Sequence, residues 1–234
     1  MKRNLSELER YFDLKFNTIG LLEQAMTHPS YANEYGRPSN QRLEFIGDAV
    51  IDLTVGKYLY DLMPHEDEGV LTKKRAAEVC EASLSAIAQS FNLGDYLLLG
   101  KGEEKSNGYE KPRVLADAFE AFLGAIFIDK GLKEVYKVLN KVVFPFIDQT
   151  LEDSAHDYKS ILQELVQSDK RTLLYEIIDE TGPAHDKTFV AHVKMDGEII
   201  MGMGTGKTKK EAEQAAAKDT LAKMAHSNIQ EDES

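Results

Sequence analysis

A single cysteine, Cys80, occurs among 234 residues, so the chain forms no internal disulfide and a cysteine-based zinc site is excluded. That usage suits a reducing compartment, and Cys80 itself reads as a small buried hydrophobe. Long apolar runs are missing too: no segment approaches the roughly 18 residues that a membrane span needs. The start, MKRNLSELERYF, has no apolar stretch behind its basic residues as a secretory leader would. A cytoplasmic protein without membrane contact is expected. The third absence is net positive charge. The formal charge is −12, with 18 basic against 25 acidic residues over 1–156, 10 against 12 over 157–226, and three acids over 227–234. Phosphate binding is driven by Lys and Arg releasing counterions, so neither half binds a polyanion through its average charge. Any such contact has to come from a local cluster, and carboxylates near a polyanion need a reason such as metal ions. What is present, 42% hydrophobic and 29% charged residues, is the profile of a globular chain with a sizeable core.

Up to about residue 150 apolar residues recur at three- and four-residue spacings, which predicts an all-helical domain over 1–150. Turn clusters at 36–40, 63–69 and 100–112 punctuate it. The polar stretch 151–157, LEDSAHD, reads as a linker. Beyond it the pattern changes. Residues 158–167 suit a helix with Ile161, Leu162, Leu165 and Val166 at core spacing. Residues 173–178, 188–195 and 198–203 suit strands, the last two joined by the hairpin signal Asp196-Gly197. A final helix is expected from about Lys209 to Ala225. The order over 158–226 is α-β-β-β-α, a small α+β domain, and 227–234 reads as a disordered acidic tail.

Chemistry concentrates on two of the expected helices. In residues 41–60, QRLEFIGDAVIDLTVGKYLY, a turn of about 100° per residue places Leu43, Ile46, Val50 and Leu53 on one face. Gln41, Glu44, Asp48 and Asp52 lie roughly opposite. A row of carboxylates is ordinarily a solvated side, but Phe45 and Ile51 border this one with apolar surface. Residues 114–129, VLADAFEAFLGAIFID, are apolar almost all round, as a buried helix should be. Asp117 and Glu120 interrupt that helix on one face, and Gly124 one turn later leaves room beside them. Burying unpaired carboxylates is costly, so each requires a partner or a metal. Arg113, four residues before Asp117, supplies the ion-pair alternative. Side by side, the two helices bring Glu44, Asp48, Asp117 and Glu120 to one place, where like charges raise one another's pKa unless a cation neutralises them. Oxygen-only donors select Mg²⁺ or Mn²⁺, which polarise a phosphodiester and activate water.

At these residues the chain resembles the ribonuclease III family: RLEFIGDAV from Arg42 is similar to its signature, and LADAFEAFLGAIF from Leu115 to its second acidic motif. THPSY, 27–31, and EGVLTKKRA, 68–76, are similar to further stretches of its catalytic domain. The resemblance implies a double-strand-specific endoribonuclease with Glu44, Asp117 and Glu120 as Mg²⁺ ligands, Mn²⁺ substituting. Asp48 joins them at the metal site by helping to position metal-bound water, and Asp48 and Glu120 are the catalytic pair. It also implies a homodimer with Phe45 in the interface, a supporting role for Glu68, and products with 5′-phosphate and 3′-hydroxyl ends and a short 3′ overhang. Processing of ribosomal-RNA precursors and of messages is the role it suggests. Gln41 departs from the family's usual Glu, which removes a charge from any outer role there.

In the last segment, Gly206-Lys207-Thr208 matches the end of a phosphate-binding loop, but the required first glycine is Met201, so no nucleotide cofactor is expected. Thr208 and Glu211 instead suit a capping box, which crowds Lys207, Lys209 and Lys210 at a helix N-terminus. An exposed lysine cluster without ligand is the plainer alternative. The α-β-β-β-α order and KTKKEAEQAAA resemble the double-stranded-RNA-binding domain. That resemblance implies ribose contacts from Gln163 and Glu164, a minor-groove contact from His185, and phosphate contacts from the three lysines. His28 reads as structural. Two competing readings remain: a non-catalytic dimeric double-stranded-RNA-binding protein, and a metal phosphohydrolase acting on small molecules.

Overall fold

The computed structural model describes residues 4–155, 157–167, 171–183 and 186–231, with the backbone alone at 152–155 and 225–231. The chain divides into two compact units, Met1–Gln149 and Thr150–Ser234. The first is helical, with α1 Leu5–Tyr11, α2 Ile19–Ala25, α3 Pro29–Tyr35, α4 Gln41–Leu62, α5 Glu68–Glu78 and α6 Glu81–Ser90. It continues through α7 Lys101–Lys105, α8 Pro112–Lys130, α9 Leu132–Val138 and α10 Phe144–Ala155. The second has α11 Tyr158–Gln167, β1 Leu173–Thr181, β2 Thr188–Met195, β3 Ile199–Gly206 and α12 Lys209–Glu231. The expected fold class, all-helical followed by α-β-β-β-α, is the one observed. Among the described residues no helix is long and apolar enough to cross a membrane.

The centre of the first unit is α8, whose Leu115, Phe119, Phe122, Leu123 and Ile126 are all buried. Its far end is tied to the N-terminal segment by Asp129, whose carboxylate accepts the backbone N–H of Asn17 and Thr18 at 2.7 and 3.0 Å. Against α8 lies α4, and the contact is unusually close. A Cβ at Gly47 would stand 1.8 Å from the Glu120 carbonyl oxygen, and one at Gly124 would stand 2.1 Å from that of Leu43. Neither gap admits a methyl group, so the two glycines set the separation of the helices.

That contact corrects the expected core face of α4. Leu53 is 64% exposed and Ile51, expected to border the acids, is fully buried. The buried face runs through Leu43, Gly47, Val50, Ile51, Thr54, Val55 and Leu59. Its pivot is a glycine, which a hydrophobic pattern does not count. Cys80 also differs from expectation: it is exposed, at the N-cap of α6, with Sγ 3.4 Å from the Ser83 hydroxyl. A cap position ends a turn at the surface, which overrides the residue's usual preference for burial.

In the second unit β1, β2 and β3 form an antiparallel sheet in that order. Asp196 and Gly197 both have positive φ, 53° and 77°, as a tight hairpin turn between right-twisted strands demands. Leu162, Val166, Ala191, Val193, Met195, Ala212, Ala216 and Ala217 build the core. The glycine-rich run serves helix-on-sheet packing: a Cβ at Gly204 would meet the Ala216 nitrogen at 2.1 Å, and one at Gly206 the Ala212 nitrogen at 2.4 Å. Several boundaries differ from the expected ones: β1 runs on to Thr181 and β3 spans Ile199–Gly206. α10 continues to Ala155 through much of the expected linker, where Leu151, Glu152 and Ala155 are good helix formers. α12 continues to Glu231, past the expected start of the tail, while 232–234 lie outside the described residues.

Candidate active site

Glu44 lies in the first turn of α4, and Asp117 and Glu120 lie on one face of α8. One carboxylate oxygen from each stands within 4.8 Å of the others. The glycine contact is what makes this possible, since Gly47 sits against the backbone of Glu120 itself and Gly124 against that of Leu43. Asp48, one turn beyond Glu44, is exposed at the rim of the cluster. Its charge, with those of Asp117, Glu44 and Asp52, acts on Glu120.

In the cluster, burial and mutual repulsion of the acids outweigh the nearby Arg113. Burial, followed by the charges of Asp48 and Asp117, pushes the Glu120 carboxyl up to about 8. Burial and the neighbouring Asp117 raise Glu44, and burial raises Asp117 despite Arg113. The ion-pair alternative is weak: Arg113 Nε is 3.8 Å from Asp117, and the arginine side chain is largely exposed. Glu81, at the start of α6, adds its charge to Asp117. The sequence pattern missed it, because only the packing of α6 on α8 brings it near. Asp52 is drawn off toward Arg75, 3.8 Å away.

A pH dependence follows. A carboxyl raised in the folded state favours folding while protonated, so its contribution is present below the ordinary value of 4.5 and is lost as pH rises through about 8. Glu44 and Asp117 act with the same sign. In chelator the melting temperature is therefore expected to fall between pH 5.5 and 8.5, and in millimolar Mg²⁺ this fall is expected to shrink. Parallel thermal unfolding curves measure it; identical slopes in the two buffers would refute a cation at the cluster.

The other expected site residues are placed as follows. Gln41 is exposed, its Oε1 accepting from the Ser39 hydroxyl at 3.3 Å. Glu68 opens α5, accepts from the Thr72 hydroxyl at 3.2 Å, and lines a cleft of about 590 Å³ with Asp52, Leu53, Tyr60 and Arg75. Phe45 is 74% exposed on the outer side of α4, where Leu53 and Tyr60 are exposed as well. In the second unit, Gln163 and Glu164 are exposed on α11 and border a smaller hollow with Lys159, Ser160 and Tyr175. The helix start at α12 carries the expected cap: Thr208 Oγ accepts the Glu211 N–H at 3.1 Å, while Glu211 reaches back to the N–H of Lys207 at 2.8 Å. Lys207, Lys209 and Lys210 are exposed there, with Lys207 Nζ 2.7 Å from Asp186. His185 lies outside the described residues.

Comparison with known proteins matches both units. The Ribonuclease-III-like family matches residues 18–147, and the double-stranded RNA binding motif matches residues 158–224. The chain is 47% identical to ribonuclease 3 of Listeria innocua over 94% of its own length and 97% of that protein's. It is 49% identical to ribonuclease 3 of Geobacillus kaustophilus, over 94% and 91%. Among solved structures, the ribonuclease III nuclease domain of Campylobacter jejuni, described as having a flexible region involved in dimer formation, superposes with a TM-score of 0.57. It is 42% identical and covers 61% of this chain and 99% of that one.

Proposed function

Because the chain belongs to the ribonuclease III family, we propose that its double-strand-specific endoribonuclease activity is carried by the acids Glu44, Asp48, Asp117 and Glu120 around a divalent cation. The observation that carries this is the meeting of three carboxylates within 4.8 Å on two helices held together by glycine contacts. The donor set fits Mg²⁺, with Mn²⁺ substituting: oxygens alone, three of them half-buried, and a surplus of negative charge that pushes Glu120 up to about 8. Glu44, Asp117 and Glu120 would hold the ion, which when bound polarises the scissile phosphodiester and lowers the pKa of water. Asp48, exposed at the rim, orients the attacking water by accepting its hydrogen bond. Gln41 and Glu68 support the approach to the site as a neutral hydrogen-bonding group and an acid in the neighbouring cleft.

Substrate recognition is assigned to the second unit. Gln163 and Glu164 on α11 contact ribose hydroxyls in one minor groove, and His185, which lies between β1 and β2 in the sequence, contacts the next. Lys207, Lys209 and Lys210 hold phosphates at the positive end of α12. The chain acts as a homodimer through the outer face of α4, where Phe45, Leu53 and Tyr60 leave apolar surface uncovered. Two sites then cut opposite strands, giving 5′-phosphate and 3′-hydroxyl ends with a short 3′ overhang. A cytoplasmic role in ribosomal-RNA precursor and message processing belongs to the same reading.

Incubation of the full chain with a long perfect RNA duplex and with the corresponding single strand, each in Mg²⁺ and in chelator, tests it. Cleavage is expected only of the duplex and only with Mg²⁺, and end analysis should find 5′-phosphates. Duplex binding without products at any Mg²⁺ or Mn²⁺ concentration would establish the non-catalytic alternative instead.

A further inference from the structure

We propose that Arg113 is a substrate-binding residue of the cleavage site, holding a backbone phosphate of the RNA duplex beside the acidic cluster; the inference rests on the activity proposed above. Arg113 is the second residue of α8, after Pro112 and the N-cap Lys111. A cation gains nothing from the helix at that point, because the first turn carries the positive end of the macrodipole and favours acids. No acid occupies that turn of α8. The charge of Arg113 is therefore not placed to stabilise the helix that carries it.

Its one contact places it at the edge of the cluster. Arg113 Nε lies 3.8 Å from Asp117 Oδ2, one turn along the same face of α8, and the arginine side chain is 82% exposed. Among the described residues no other hydrogen bond or ion pair engages the guanidinium, so both of its terminal nitrogens stay open. Lys111, the other cation at this end of the helix, is held differently. Its Nζ donates to Glu103 at 2.6 Å and to the Ser106 hydroxyl at 2.8 Å, which ties it to the residues just before α8.

The surroundings decide the class of ligand. Glu44, Asp117 and Glu120 meet within 4.8 Å, with Asp48 at the rim, and together they repel the polyanion that has to reach them. A phosphate beside the cluster requires a cation whose donors point away from the carboxylates. Arginine meets that need better than lysine: its planar fork offers paired N–H groups to two phosphate oxygens, and it is more weakly hydrated than an ammonium. The contact is with the backbone of the duplex, so it positions the strand without reading its sequence.

Three variants of the full chain, Arg113→Ala, Arg113→Lys and Glu120→Gln, would be compared with the wild type by duplex affinity in chelator from about 50 to 200 mM salt, by Mn²⁺ titration without RNA, and by Mg²⁺-dependent duplex cleavage. Loss of one phosphate contact lowers the steepness of the salt dependence by about 1 for each copy of the residue on the duplex. Arg113→Ala is expected to show that change, to bind the duplex more weakly at low salt, and to bind Mn²⁺ at least as tightly as the wild type, since a competing positive charge has gone. Arg113→Lys keeps the charge, and is expected to hold the wild-type salt dependence while cleaving at a rate between those of Arg113→Ala and the wild type. An unchanged salt dependence in Arg113→Ala would overturn the proposal. So would a fall in its Mn²⁺ affinity, which would make Arg113 a support for Asp117 instead. A wild type that binds no Mn²⁺, or a Glu120→Gln variant that binds it equally well, would overturn the metal-site reading, and the salt dependence in chelator would still decide the role of Arg113.

Discussion

Glu120→Gln is expected to lower duplex cleavage at saturating Mg²⁺ by about 10³-fold or more, while duplex affinity in chelator stays at the wild-type value. A metal acting on a phosphodiester supplies several kcal/mol of transition-state stabilisation, and each 1.36 kcal/mol is a factor of about ten. Glu120 is the residue on which this depends most, because it is the acid that all its neighbours act upon: Asp48, Asp117, Glu44 and Asp52 each raise it. Removing its charge also removes that repulsion. The same variant should therefore melt higher than the wild type in chelator at pH 8.5, an exchange of activity for stability common at functional sites. Single-turnover cleavage, filter binding in chelator and thermal unfolding separate the three quantities. Retention of more than a tenth of the wild-type rate would mean that the cluster does not hold the catalytic ion.

Gly47→Ala has the second large effect. Its Cβ would stand 1.8 Å from the carbonyl oxygen of Glu120, a backbone atom within a buried helix that no rotamer change relieves. The helices have to separate, and overpacking of this kind costs on the order of 3 kcal/mol. Because α4 carries Glu44 and Asp48 while α8 carries Asp117 and Glu120, the same displacement opens the cluster. A misplacement of about 1 Å at a reacting centre is enough for a 10²-fold loss. Gly20→Ala provides the contrast, since a Cβ there meets nothing within 4 Å and the helix gains from alanine. The melting temperature and the cleavage rate of Gly47→Ala should fall together, whereas those of Gly20→Ala should not. Normal stability in Gly47→Ala would show that α4 and α8 are not in the contact described.

Much of the second unit was legible in the residues because its signals are local. Asp196-Gly197 announces a turn with two positive φ values, and Thr208 with Glu211 announces a helix start; both depend on neighbours a few positions apart. The acids were legible for the same reason, each pair lying one helical turn apart. Rotation of α4 was not legible, because the residue nearest to α8 is a glycine and the pattern of apolar side chains is silent there. Exposure of Cys80 was hidden by its type, and the approach of Glu81 to Asp117 by its distance along the chain.

Residue order alone therefore determined the division into a helical and a mixed part, the hairpin turn, the start of α12 and which segments carry carboxylates, since these follow from spacings of two to four residues. Packing decided which carboxylates meet. Bringing Glu44 within 4.8 Å of Asp117 and Glu120 depends on how closely two helices approach, and that distance is set by the absence of two side chains. A short-range pattern records what each residue has, whereas the gap between helices depends on what both lack at the point of contact.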